Sequence, residues 1–265
     1  KPFLKALAMD SDGDVYRCGM HDCELRPPPG ESYMEPWQKR TNEDQPWDRL
    51  WSFIDGINRT PPHQFRAFAE RHVALEDYLT WMVIDTFISN DYQVDSRSFL
   101  VYDRERGRWF YVPWDLNNAV SLYNRKNSVG AGVSWRAARP LFGFTAYDPW
   151  VYDLAELRRG LGYADMKPAW NTLSTRILDD EVLRTRYVSR LRELLDTWLT
   201  EENVGPRIDA MHQMLAPFIL AGPDGKTRDP HVSPAHAARS PEFLRSFVRE
   251  RRAWLLAHLS DIEAL

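Results

Sequence analysis

A chain of 265 residues, 43% hydrophobic and 27% charged, has the make-up of one large globular domain or two small ones. A net charge of −4 and a pI of about 6.0 argue against a dedicated nucleic-acid binder. No apolar run reaches membrane-spanning length, since the best, residues 78–88, is cut by Asp85. The 11 Trp, 11 Tyr and 12 Phe suit cores, carbohydrate platforms and interfaces alike, so they choose no function. There is no signal peptide, and the chain opens at Lys1 rather than Met, which reads as a trimmed chain.

The first element is a short helix or turn. An acidic run, Asp10-Ser-Asp-Gly-Asp14, and a strand at Val15-Tyr16-Arg17 follow. Glycine falls at the fourth position of the run and His21 at the twelfth, so it reads as a turn and not a calcium loop. Cys18 and Cys23 suit a disulfide closing a small loop; two reduced thiols are the alternative, and a metal site would need a further ligand from afar. Residues 26–47 read as loop, with five prolines among them. Asp48 is read as the cap of a helix carrying Leu50, Trp51, Phe53, Ile54 and Ile57 inward. Pro61 and Pro62 end that helix and open the next, with Phe65 and Phe68 inward. Residues 76–88 are apolar nearly all round, as in a buried central helix.

Ser98–Tyr102 and Trp109–Val112 are β-branched and aromatic runs around a charged loop whose Gly107 can take positive φ. They predict a β-hairpin. With Tyr102 facing Trp109, Asp115 falls opposite Ser96, beside Asp95 and a few residues from Asp91. Carboxylates converging on one mouth suit a divalent cation or acid–base work. Residues 119–150 read as irregular. The last third reads as helices over 170–178, 181–199, 208–219 and 241–259. Val182, Leu183, Tyr187, Leu191, Leu194, Leu195 and Trp198 form one stripe, and Ser240 is read as a cap before Pro241. The fold class is α+β, mainly α-helical, with a central hairpin. The chain is one domain, with an entry segment 1–47, helices, loop and hairpin over 48–118, and an irregular segment and C-terminal helices over 119–265.

The buried helix, the Asp91 loop, the aromatic hairpin and Pro113-Trp114-Asp115-Leu116-Asn117 together resemble the CotH family, the spore-coat-protein kinases and their relatives. Asp91 and Asp115 stand 24 residues apart, which suits the family. The resemblance implies an atypical kinase-like C-terminal lobe and phosphoryl transfer from ATP to Ser or Thr of secreted or coat proteins, outside the cytoplasm. Asp91 would then orient the substrate hydroxyl and accept its proton. Asp115 would hold Mg²⁺ or Mn²⁺, with Asn117 and Asp95 as further oxygen ligands. Trp114 and Arg97 are the candidates for contact with the nucleotide. Implied partners are a Ser/Thr-rich protein substrate and the nucleotide.

Two departures from the family pattern stand out. Ser98 or Ser96 occupies the place where the family commonly has an Asn ligand, and Asn117 replaces a second Asp. The chain also resembles only the part of the family after its N-terminal lobe, with no glycine-rich loop and Lys in residues 1–50.

Other readings apply to single residues. Asp91 suits a turn and Asp115 an N-cap; Trp114 suits core packing. Asp85 reads as a buried structural carboxylate, His231 and His236 as solvated loop residues, Arg97 as an exposed strand residue and Arg245–Arg252 as a solvated helix face. Asn58-Arg-Thr60 is a chance sequon match. Two other functions fit less of the chain: a catalytically idle kinase-like binding module, and a carboxylate-pair glycoside hydrolase with aromatic subsites.

Overall fold

The computed structural model describes residues 2–18, 25, 37–89, 98–114, 116, 119–121, 172–220 and 234–265. Over these the chain is mainly helical, with one four-stranded antiparallel sheet. The strands are β1 (Asp14–Cys18), β2 (Trp37–Lys39), β3 (Ser98–Asp103) and β4 (Arg108–Pro113), in the order β2-β1-β3-β4.

The expected hairpin forms in the expected register. Tyr102 pairs with Trp109, Phe99 with Val112 and Ser98 with Pro113. Gly107 takes φ 64°, a conformation that a Cβ would oppose. The hairpin is half of a larger sheet, because β1 pairs with β3 (Arg17 opposite Phe99) and β2 with β1. The β2 strand lies in a segment read as loop. Its three residues carry little strand signal of their own and are held by pairing with β1.

Side-chain alternation gives the sheet two faces. Tyr16, Leu100 and Trp109 belong to the main core, along with Tyr102 and Tyr111 at its margin. Val15 and Val101 face the other way and pack under α1 (Pro2–Ala6) through Leu4. The Asp10 turn is closed by Gly13 N–H to the Asp10 carbonyl and by Asp12 N–H to the Asp10 carboxylate.

The helices α2 (Asp48–Arg59), α3 (Pro62–His72) and α4 (Leu75–Phe87) cover the inner face. Asp48 is the first helical residue of α2 rather than its cap; Trp47 precedes it and makes no side-chain capping bond. Pro61 and Pro62 separate α2 from α3 as expected, and Phe65 is buried. The α4 helix is buried along most of its length, Asp85 included. Tyr78 meets the Tyr111 ring edge-on at 5.6 Å, and Trp81 stacks on it at 5.9 Å. The Ala74 N–H donates to the Trp109 carbonyl at 2.8 Å, tying the α3–α4 corner to β4.

Further helices are α5 (Thr172–Asp179), α6 (Glu181–Thr197), α7 (Glu201–Leu220), α8 (Pro234–Ala257) and α9 (Leu259–Glu263). Asp180 caps α6, accepting from the N–H groups of Val182 and Leu183 at 3.0 Å each. Val182 and Trp198, read as part of the buried stripe, are 42% and 55% exposed. They sit at the two ends of α6, where the stripe runs past its packing partners.

The last long helix begins at Pro234, so Ser240 is no cap and Pro241 lies inside it. His236 is helical, not in a loop, whereas His231 lies outside the described residues. The Arg245–Arg252 face is not simply solvated. Arg251 is 0% exposed, and its guanidinium donates to the Thr86 carbonyl at 2.5 Å. Arg245 bridges to Asp209 and Glu201. The Asn58 amide donates to the carbonyls of Leu25 and Ile54, so it is engaged within the fold.

Candidate active site

Of the expected site residues, Trp114 is described; Asp91, Asp95, Arg97, Asp115 and Asn117 lie outside the described residues. What the structure provides is the frame on either side of them. Residues 90–97 follow Ser89 at the end of α4 and precede Ser98 at the start of β3. Asp115 directly follows Trp114, and Ala119–Ser121 form a short 3-10 turn just beyond.

Two links close this frame. At one end, Ser98 pairs with Pro113 in the sheet. At the other, the Val120 N–H donates to the Ile88 carbonyl at 2.5 Å. The two segments carrying the candidate carboxylates therefore spring from shared anchors. Two residues beside these anchors adopt left-handed backbone, Ser89 at φ 47° and Val120 at φ 63°. Such a conformation is unusual for a β-branched side chain, and strained backbone concentrates at functional sites. Ser89 is fully buried, which helps to hold it there.

Buried polar side chains lie next to these anchors. Tyr111 shares a hydrogen bond with the Ser98 hydroxyl, and burial together with the charge of Asp85 pushes its phenol well above the ordinary tyrosine range. Tyr78 is raised as well, by burial first and then by the neighbouring Tyr111, and bonds Ser174 at 2.8 Å. The Thr86 hydroxyl bonds the Tyr187 phenol at 3.1 Å, next to the Arg251 bond to the Thr86 carbonyl. Helix α4 therefore reaches the site through a last turn braced by α6 and α8. Ser98, one of the two serines expected where the family pattern has an amide ligand, is buried and engaged with Tyr111; the other, Ser96, lies outside the described residues.

Trp114 is tied into the sheet end. Its indole N–H donates to the Cys18 carbonyl at 3.1 Å, and its ring lies 6.1 Å from Phe99. The Arg17 guanidinium stacks over it at 4.3 Å. Arg17 carried no signal in the sequence reading. Pairing β1 with β3 opposite Phe99 would have exposed it, since that register puts it on the face of Trp114. Cys18 is disulfide-bonded, and the chain holds two cysteines, Cys18 and Cys23.

Among the described residues no group of three or more His, Cys, Asp or Glu is placed to hold a metal ion. The oxygen donors of Asp91, Asp95, Asp115 and Asn117 are the chemistry that a hard divalent cation takes, so by donor type they fit Mg²⁺ or Mn²⁺. No helix among the described residues is long and apolar enough to cross a membrane.

Residues 1–255 match the family described as CotH kinase protein. The inner spore coat protein H of Bacillus subtilis (strain 168) is 26% identical over 225 residues, 84% of this chain and 52% of that protein. The chain thus spans about half the length of this curated relative.

Proposed function

Since the chain belongs to the CotH kinase protein family, we propose that it carries the catalytic lobe of a protein kinase acting on Ser or Thr side chains. The carrying observation is the shared frame: Ser98 against Pro113 and Val120 against Ile88 bound the two segments in which Asp91 and Asp115 fall. Phosphoryl transfer asks mainly for rigid positioning and charge neutralisation, and a braced α4 end beside a sheet corner supplies the rigidity.

In this reading Asp91 accepts the proton of the substrate hydroxyl. The hydroxyl oxygen bonds the γ-phosphorus of ATP, and ADP leaves. Asp115, Asn117 and Asp95 hold the divalent cation. When bound, the cation neutralises charge on the β- and γ-phosphates. Trp114 borders the nucleotide, and Arg97 is a further phosphate contact. The substrate is a Ser/Thr-rich protein, and the name of the spore coat relative supports a coat or surface location.

The test is transfer of labelled γ-phosphate to casein and to the chain itself, with Mg²⁺ and with Mn²⁺. Asp91→Ala should lower kcat by about 10²-fold or more while leaving ATP affinity in place. Equal transfer by Asp91→Ala, or none by the unaltered chain, counts against the proposal.

A second reading, an idle binding module on the same fold, is favoured by Ser98. It is buried and hydrogen-bonded to Tyr111, and a serine at this position, Ser98 or Ser96, offers a shorter ligand than the amide expected from the family pattern. ATP-independent partner binding that survives Asp91→Ala would mark that case.

A further inference from the structure

Among the described residues, the arginines other than Arg17 are either paired or exposed. Among the described residues, Arg40, Arg71, Arg108, Arg207 and Arg239 also lack a side-chain ion pair or hydrogen bond, and each is exposed. Arg17 differs. It is half-buried on the outer sheet face, its Nε is cut off from solvent, and that Nε has no hydrogen-bond partner. Among the described residues no carboxylate pairs with it.

What holds Arg17 is the Trp114 ring, 4.3 Å from the guanidinium carbon. Stacking uses the flat face of a guanidinium and leaves its donors pointing out along the edge. The ring itself is fixed by the bond from its indole N–H to the Cys18 carbonyl and by Phe99 beside it. The result is a pre-set cation with spare donors, seated on the residue that directly precedes Asp115. A planar fork of this kind matches the oxygens of a phosphate, which accept two of its N–H groups at once.

We infer that Arg17 binds a phosphate of the nucleotide, with Trp114 as the platform that orients it. This rests on the reading of Asp115 as the metal-holding carboxylate. A cation on β1 then stands beside a cation site that follows β4, and both draw the same polyphosphate. Arg17 takes a role that sequence reading gave to Arg97 alone.

The test titrates inorganic pyrophosphate, Mg²⁺-ATP and adenosine into the chain and into Arg17→Gln and Arg17→Lys, following tryptophan fluorescence, with thermal melts to check folding. Arg17→Gln should weaken pyrophosphate and Mg²⁺-ATP by about 10-fold or more and leave adenosine unchanged. Arg17→Lys should fall between, keeping the charge and losing the fork. Unchanged pyrophosphate and ATP binding in a folded Arg17→Gln overturns the inference, as does an equal loss of adenosine. Pyrophosphate binding that depends on Arg17, in a chain that takes no nucleotide, supports the phosphate site and rejects the kinase reading. A chain that binds neither probe overturns both.

Discussion

The Val120 N–H donates to the Ile88 carbonyl across 2.5 Å, joining the turn after Asp115 to the end of the helix that leads to Asp91. Val120 is held at φ 63° and ψ 20° to make this bond. Val120→Pro deletes the donor and forces φ to about −65°. It should cost about 3 kcal/mol in urea unfolding and reduce phosphoryl transfer. An unchanged unfolding midpoint would show that the link contributes nothing.

Tyr16 is buried in the main core, and its hydroxyl has no hydrogen-bond partner. Tyr16→Phe removes an unsatisfied polar atom and keeps the ring contacts with Trp47 and Trp109. It should raise stability at pH 7 by about 1 kcal/mol. Burial, reinforced by the charge of Asp14, pushes the phenol up to about 12. A folded value above the unfolded one of about 10 means stability is fully present below about pH 10 and declines as pH rises toward the folded value. The variant should flatten that alkaline limb, and denaturant melts from pH 8 to 12 will read it.

Asp14 sits at the opposite end of the sheet from the candidate site. Burial alone would raise its pKa, but hydrogen bonds from Arg104 and Asn42 and the charges of Arg104 and Arg49 outweigh this and hold it below the usual range. Its contribution is therefore present above about pH 4, the unfolded value, and is lost as pH falls through the folded one. Asp14→Asn should cost about 2 kcal/mol at pH 7. It should also shrink the loss of stability below about pH 4. A variant with unchanged neutral stability would contradict the role of this ion-pair knot.

Cys18 is disulfide-bonded, and the sequence holds one other cysteine, Cys23, five residues on. Reduction should cost about 2 kcal/mol from loop entropy. The Cys18 carbonyl also holds the Trp114 indole, so reduction should shift tryptophan fluorescence before global unfolding. Fluorescence and unfolding that change only together would argue against local coupling.

The hairpin was legible because strand-forming runs flank a glycine able to take positive φ, and one facing pair, Tyr102 with Trp109, sets every other pairing. The buried α4 was legible from its all-round apolarity, and so was the oddity of Asp85 within it. Strand β2 was not, because a three-residue strand gains its stability from the neighbouring β1 and not from its own propensity. The burial of Arg251 was hidden in an arginine-rich stretch, where only tertiary packing decides which guanidinium turns inward. Pro241 looked like a helix start; the helix instead runs through it from Pro234. The candidate carboxylates were legible as a motif, whereas the frame around them, from Ile88 to Val120, depends on contacts between distant segments that local patterns do not encode.

The most direct test of the central claim is calorimetric titration of ATP into this chain and into Asp115→Ala, with and without Mg²⁺ or Mn²⁺. The kinase account predicts metal-dependent binding that Asp115→Ala removes. Binding that ignores the metal or survives in Asp115→Ala would contradict it.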